Sequence, residues 1–114
     1  MTMPTLRRAI IFTRDLAGMT RFYRDVIGLT VIETSKGWVD FNAGGGRIAL
    51  HATDAEMGEG PIKLAFFAEN VAAMRDTLVA RGATSFGPVK SFGALHLCDG
   101  FDPDGNAIQL SNRP

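Results

Sequence analysis

The feature that most limits the folds open to this chain is that its second half repeats the plan of its first. An alternating strand, Arg8 to Thr13, leads to Asp15, a helix-capping residue. Leu16, Met19, Tyr23, Val26 and Ile27 follow at helical spacing, Phe22 widens the stripe, and Gly28 supplies the stop. Three strands come next, Leu29 to Thr34, Trp38 to Asn42 and Arg47 to Ala52. The polar segment 53–60 connects to a further strand, Ile62 to Ala68. Asn70 then caps a helix carrying Val71, Met74, Leu78 and Val79, and Gly82 ends it. Strands are expected near Thr84 to Val89, Phe92 to Cys98 and Asn106 to Ser111. Laid on one another, Asp15-Leu16-Ala17-Gly18-Met19 meets Asn70-Val71-Ala72-Ala73-Met74, and Gly28 meets Gly82 one residue out of step. The repeat predicts an α+β fold of two tandem βαβββ modules, 6–52 and 61–112, in a single domain spanning 1–114.

Local chemistry supports the reversals. In Asp102-Pro103-Asp104-Gly105-Asn106, Pro103 presets φ, the aspartates can accept from nearby amides, and Gly105 tolerates the positive φ of a tight turn. Behind the turn, Ile108 and Leu110 share one face of a strand, while Gln109 and Ser111 share the other. Gly44-Gly45-Gly46 joins two strands and opens no helix, so it is read as a hairpin tip rather than a phosphate cradle.

Composition excludes several classes of partner. Lys plus Arg and Asp plus Glu both total 12, so the overall charge favours neither nucleic acid nor an anionic membrane. The longest apolar run near the start, Ala9-Ile10-Ile11-Phe12, is too short for a secretory or membrane segment. The single cysteine, Cys98, permits no intrachain disulfide, and a cytoplasmic protein is expected. In each module the helix must cover the apolar strand faces, which leaves the mixed faces inside the curl of the sheet. Burying Val39, Phe41, Ile48 and Leu50 turns Trp38, Asp40, Asn42, Ala49 and His51 inward. Burying Leu64, Phe66, Leu95 and Leu97 does the same for Lys63, Ala65, Phe67, His96 and Cys98. This lining, half apolar and half polar, suits a small molecule.

The Asp-Leu pair at 15–16, the run Phe22-Tyr23-Arg24-Asp25-Val26-Ile27-Gly28-Leu29 and the Asp-Pro-Asp-Gly-Asn turn resemble the vicinal oxygen chelate superfamily, which includes glyoxalase I, bleomycin-resistance proteins and extradiol dioxygenases. The likeness spans residues 6–112. It implies curled mixed sheets around a cleft, and in metal-using members ligands from the first and last strands of each module, commonly His and Glu. The matching positions here are Arg8, Ala49, Lys63 and Gln109, none of them an ordinary ligand for Zn, Ni, Mn or Fe. No metal or other cofactor is therefore expected, although a shifted site using His51, His96, Asp40 or Cys98 can be drawn. Arg8 and Lys63 either hold an anion or pair with acids such as Asp40. The expected ligand-binding set is Arg8, Phe12, Trp38, Asp40, His51, Lys63, Phe67, His96 and Gln109, with His51 and His96 as candidate acid/base groups. Sequestration of an aromatic or anionic compound by a homodimer is the favoured reading. The alternatives are a glyoxalase-like lyase or isomerase, an extradiol-dioxygenase-like enzyme, and a module that binds only another protein.

Overall fold

The computed structural model describes residues 6–54 and 62–114, which fall into two compact units divided between Met57 and Gly58. Most of the connector expected at 53–60 lies outside the described residues. The first unit runs β1 (Arg8–Thr13), α1 (Leu16–Arg21), a π-wound continuation (Phe22–Ile27), β2 (Thr30–Ser35), β3 (Trp38–Asn42) and β4 (Arg47–Ala52). The second runs β5 (Lys63–Phe67), α2 (Val71–Ala80), β6 (Lys90–Phe92), β7 (Leu95–Phe101) and β8 (Ala107–Ser111). Each unit is a four-stranded mixed sheet, in the orders β1-β4-β3-β2 and β5-β8-β7-β6, with its outermost first strand parallel to its last. The repeat read from the sequence is thus a repeat of topology. Among the described residues no helix is long and apolar enough to cross a membrane.

The two helices begin alike. The Asp15 carboxylate accepts the amide of Gly18 at 3.0 Å, and the Asn70 side chain accepts that of Ala73 at 3.0 Å, each satisfying an amide that the first helical turn leaves without a partner. They also end alike, on Gly28 and Gly82 with φ of 92° and 108°, the left-handed region that only glycine enters at no steric cost. The first helix is not α-helical to its end. From Phe22 the winding widens, so that the amide of Gly28 reaches the Tyr23 carbonyl at 3.1 Å. Met19 and Tyr23 are fully buried, as are Phe41 and Leu50, and the Tyr23 and Phe41 ring centroids lie 6.3 Å apart.

The second unit corrects three expectations. Thr84–Val89 is not a strand. Arg75 takes the carbonyls of Phe86 and Gly87 at 2.8 and 2.6 Å, Ser85 Oγ is bonded to the Phe101 backbone, and Pro88 has no amide to give a ladder. The edge strand is instead β6, and β7 begins at Leu95 rather than Phe92. In α2, Arg75 lies between the buried Val71 and Leu78, while Met74 and Val79 are exposed. The stripe facing the sheet therefore includes a guanidinium used as a hydrogen-bond donor.

The third correction concerns facing. Cys98 opposes Leu110 and Gly100 opposes Ile108, and directly opposed residues share a face. Leu110 and Ile108 are buried on the helix side, so Cys98, Gly100 and, by alternation, His96 lie there too, while Leu95 and Leu97 share the other face with Asp99. Gly100 explains the choice. A Cβ there would sit 2.8 Å from the Phe86 ring, so this face of β7 needs a glycine for Phe86 to pack against. Cys98 is fully buried, and burial pushes its thiol up, against a smaller opposing effect of Arg75. We expect native protein at pH 8 to leave Ellman's reagent unreduced over an hour and to release one equivalent on denaturation. Stoichiometric reaction of the native chain would show that Cys98 is accessible.

Candidate functional site

In the first unit, strand register converts alternation into rows on the face turned away from the helix. Phe12, His51 and Trp38 form one row, Ile10, Ala49 and Asp40 the next, and Arg8, Arg47 and Asn42 the third. Rows separated by two residues lie about 7 Å apart along the strands. In the aromatic row, His51 meets Phe12 and Trp38 edge-on, with ring centroids at 5.2 and 5.7 Å and interplanar angles of 71° and 68°. Ile10 and Phe12 are each 50% exposed, so an apolar surface faces outward beside the histidine.

The polar end is built on Asp40, whose side chain is only 2% exposed. Its Oδ2 lies 3.1 Å from Arg8 Nη2 and 3.2 Å from Arg47 Nη1. β4 separates β1 from β3, so Arg8 must cross it to reach Asp40. It does so where Ala49, opposite Asp40, has only a methyl, and Ala49 is completely buried. The Arg8 guanidinium carbon ends 6.0 Å from the Trp38 ring centroid, joining the polar and aromatic rows. Arg47 also borders a hollow at the sheet's end with Arg7, Asn42 and the Gly44–Gly46 turn.

The second unit repeats the device with a different balance. Lys63 Nζ lies 2.8 Å from Asp99 Oδ1, and Gln109 Nε2 donates to the same oxygen at 3.1 Å. Asp99 opposes Gln109 as Asp40 opposes Ala49. The Lys63 hydrogen bond holds the Asp99 carboxyl below its ordinary value, with Gln109 assisting and partial burial opposing. Phe67 is on this face and 64% exposed. His96 is not. It lies near the start of α2 with Asn70 and Val71, its Nδ1 2.7 Å from Ser91 Oγ.

Of the residues singled out from sequence, Arg8, Phe12, Trp38, Asp40 and His51 share one face of the first unit, and Lys63, Phe67 and Gln109 share one face of the second. Arg47 and Asp99 were missed. Arg47 stands two residues before Ala49, hence on its face, and Asp99 follows Cys98, hence on the face opposite to it.

A transition metal does not suit this donor set. Arg8 and Ala49 offer no ligand atom, Lys63 and Gln109 both spend hydrogens on Asp99, and Asp40 Oδ2 already serves two guanidiniums. Among the described residues no three of His, Cys, Asp and Glu converge as a metal would need. The helix-side placement of His96 and Cys98 takes both away from the face of Gln109.

A search of curated proteins gave no significant match. Solved structures share the fold at low identity. A glyoxalase/bleomycin resistance protein/dioxygenase from Nocardioides aligns over 97% of this chain and 84% of its own, with TM-score 0.82 and 19% identity. A glyoxalase/bleomycin resistance protein/dioxygenase family enzyme from Burkholderia phytofirmans aligns over 91% and 94%, with TM-score 0.77 and 23% identity. A lactoylglutathione lyase from Agrobacterium tumefaciens aligns over 94% and 92%, with TM-score 0.75 and 19% identity. One family model matches residues 5–110, nearly the whole chain, and on that match the chain belongs to the Glyoxalase/Bleomycin resistance protein/Dioxygenase superfamily.

Proposed function

We propose that this protein is a metal-independent binder of a small aromatic or anionic compound, held on the face of the first unit's sheet that carries Phe12, His51 and Trp38. The supporting observation is the placement of Arg8, its guanidinium 6.0 Å from the Trp38 ring and its side chain 29% exposed, at the border of an outward-facing aromatic row. Aromatic side chains give a planar ligand contact area at low entropic cost, and the cation fixes the orientation of an acidic substituent. Sequestration is favoured over catalysis because the positions matching the family's metal ligands hold Arg8, Ala49, Lys63 and Gln109, none of them an ordinary transition-metal ligand. An enzyme of the glyoxalase or dioxygenase kind is the competing reading, and His51 would be its only acid/base histidine on this face.

Trp38 is the only tryptophan, so its fluorescence reports on the site directly. Titration with substituted benzoates, phenols and naphthols should quench it saturably, and Phe12→Ala should weaken binding by about 1 kcal/mol, roughly fivefold. Prior dialysis against a chelator should change nothing. If no aromatic quenches Trp38, or if binding needs one equivalent of Ni, Zn, Mn or Fe, the reading is wrong.

A further inference from the structure

The glycine triplet at the turn between β3 and β4 is a hairpin tip, and the turn itself accounts for two of its three glycines. Gly44 sits at φ 93°, where only glycine is unstrained. A Cβ on Gly46 would press to 3.4 Å on the Arg7 carbonyl, which accepts the Arg47 amide at 3.0 Å. Gly45 is different. Its φ is not positive, and a Cβ there would meet nothing within 4 Å. Folding places no demand for a glycine at 45.

The same turn borders the hollow of about 420 Å³ at the sheet's end, whose side chains carry two guanidiniums and no carboxylate. Arg7 is exposed and makes no ion pair among the described residues. Arg47 gives Nη1 to Asp40, and its other N–H groups have no acceptor among the described residues. Asn42 spends its Oδ1 on the Gly44 amide at 2.9 Å, which leaves its Nδ2 as a donor. The amides of Gly45 and Gly46 likewise have no acceptor among the described residues. The acids of this sheet do not cancel the charge. Glu33 stands opposite Asp40, so these two match Arg8 and Arg47 in number; neither lines the hollow, and Arg7 is a further cation.

We propose that this hollow is a site for a phosphate group, carried either by inorganic phosphate or by a phosphomonoester. Arg7 and Arg47 supply the charge, and Asn42 Nδ2 with the amides of Gly45 and Gly46 supplies the neutral donors. A phosphate has acceptor oxygens enough for so many donors, whereas a carboxylate has two. Glycine at 45 leaves the turn's amides uncovered, and an oxygen can then approach the backbone closely. The site lies beyond the aromatic row and does not rest on the reading that places a ligand there.

The test is a titration of isotope-labelled protein with inorganic phosphate, phenyl phosphate and acetate at pH 8 and constant ionic strength. Backbone amide resonances report binding, and a melting curve is taken for every variant. The Gly45 and Gly46 amides should shift saturably with phosphate, and acetate should bind at least tenfold more weakly. Arg7→Met and Gly45→Val should each weaken phosphate binding at least fivefold without lowering Tm, because Arg7 has no ion pair to lose and a side chain at 45 enters open space. Arg24→Met removes an equal charge from the surface of the same unit and should leave affinity within twofold. Tighter binding of phenyl phosphate than of inorganic phosphate would assign the site to monoesters, and the reverse order to the free anion. The proposal is overturned if neither phosphate shifts the two amides, or if acetate binds as tightly. It is overturned equally if Arg7→Met or Gly45→Val binds phosphate like wild type, or if Arg24→Met loses as much affinity as Arg7→Met. Trp38 fluorescence in the same samples reads the aromatic row separately, so failure here leaves the aromatic reading standing.

Discussion

A chain carrying Arg8→Met and Arg47→Met together should lose about 3–5 kcal/mol of stability, a fall in Tm of about 10–20 °C for a protein of this size. Asp40 is 1% exposed and its recorded ion pairs are with these two arginines. Removing both leaves a nearly fully buried carboxylate, opposite Glu33, which must either keep an uncompensated charge or take up a proton. Either single variant should cost much less, about 1 kcal/mol, because the remaining arginine still reaches Oδ2 and methionine keeps most of the buried stem. The double variant should therefore exceed the sum of the singles, and adding Asp40→Asn should restore most of the loss. Urea unfolding of the five proteins measures every leg of this comparison. Additive losses with no recovery in the triple variant would mean that Asp40 is not the group holding the arginines.

Phe41→Ala should cost a similar amount, about 3–5 kcal/mol, through a different mechanism. Phe41 is fully buried and packs beside Tyr23 on the helix side of β3, so truncation leaves a void that the surrounding sheet and helix cannot close fully. Its neighbours Asp40 and Asn42 point to the opposite face. Affinity per folded molecule for an aromatic ligand should consequently stay within about twofold of wild type, although the folded fraction falls at lower temperature. A stability loss below about 1 kcal/mol would show the first unit to be loosely packed there. A large affinity change with unchanged stability would show that β3 is faced the other way.

What could be read from the sequence was whatever local chemistry decides. Asp102 accepts the amides of Asp104 and Asn106, each at 2.9 Å, and Gly105 sits at φ 87°, as the turn residues imply. The caps at Asp15 and Asn70 and the glycine stops likewise depend on a few adjacent residues, and strands β1, β3 and β4 have the expected bounds. What was not legible depends on distant partners. No neighbour of Leu95 reveals that Phe86 packs on Gly100 and so turns His96 and Cys98 towards α2. The apolar look of Thr84–Val89 hides the fact that Arg75, in a helix, takes its carbonyls. Arg47 and Asp99 escaped for another reason. Each could be placed on its face by alternation, but only the three-dimensional structure shows that Asp40 pairs with two arginines, and Asp99 with Lys63 and Gln109, at a single oxygen.

The crossing of Arg8 over β4 has a consequence for how this chain could change. The side chain that would supply a metal ligand at position 49 and the arginine that spans β4 compete for the same few ångströms above the sheet. Ala49→Glu or Ala49→His would place its new donor in the path of Arg8, beside a carboxylate already engaged with two cations. Conversely, Arg8 reaches Asp40 past Ala49, whose side chain is only a methyl. A ligand at 49 and a strut from 8 to 40 are mutually exclusive furnishings of one space. A ligand can therefore be gained at 49 only together with a change at Arg8.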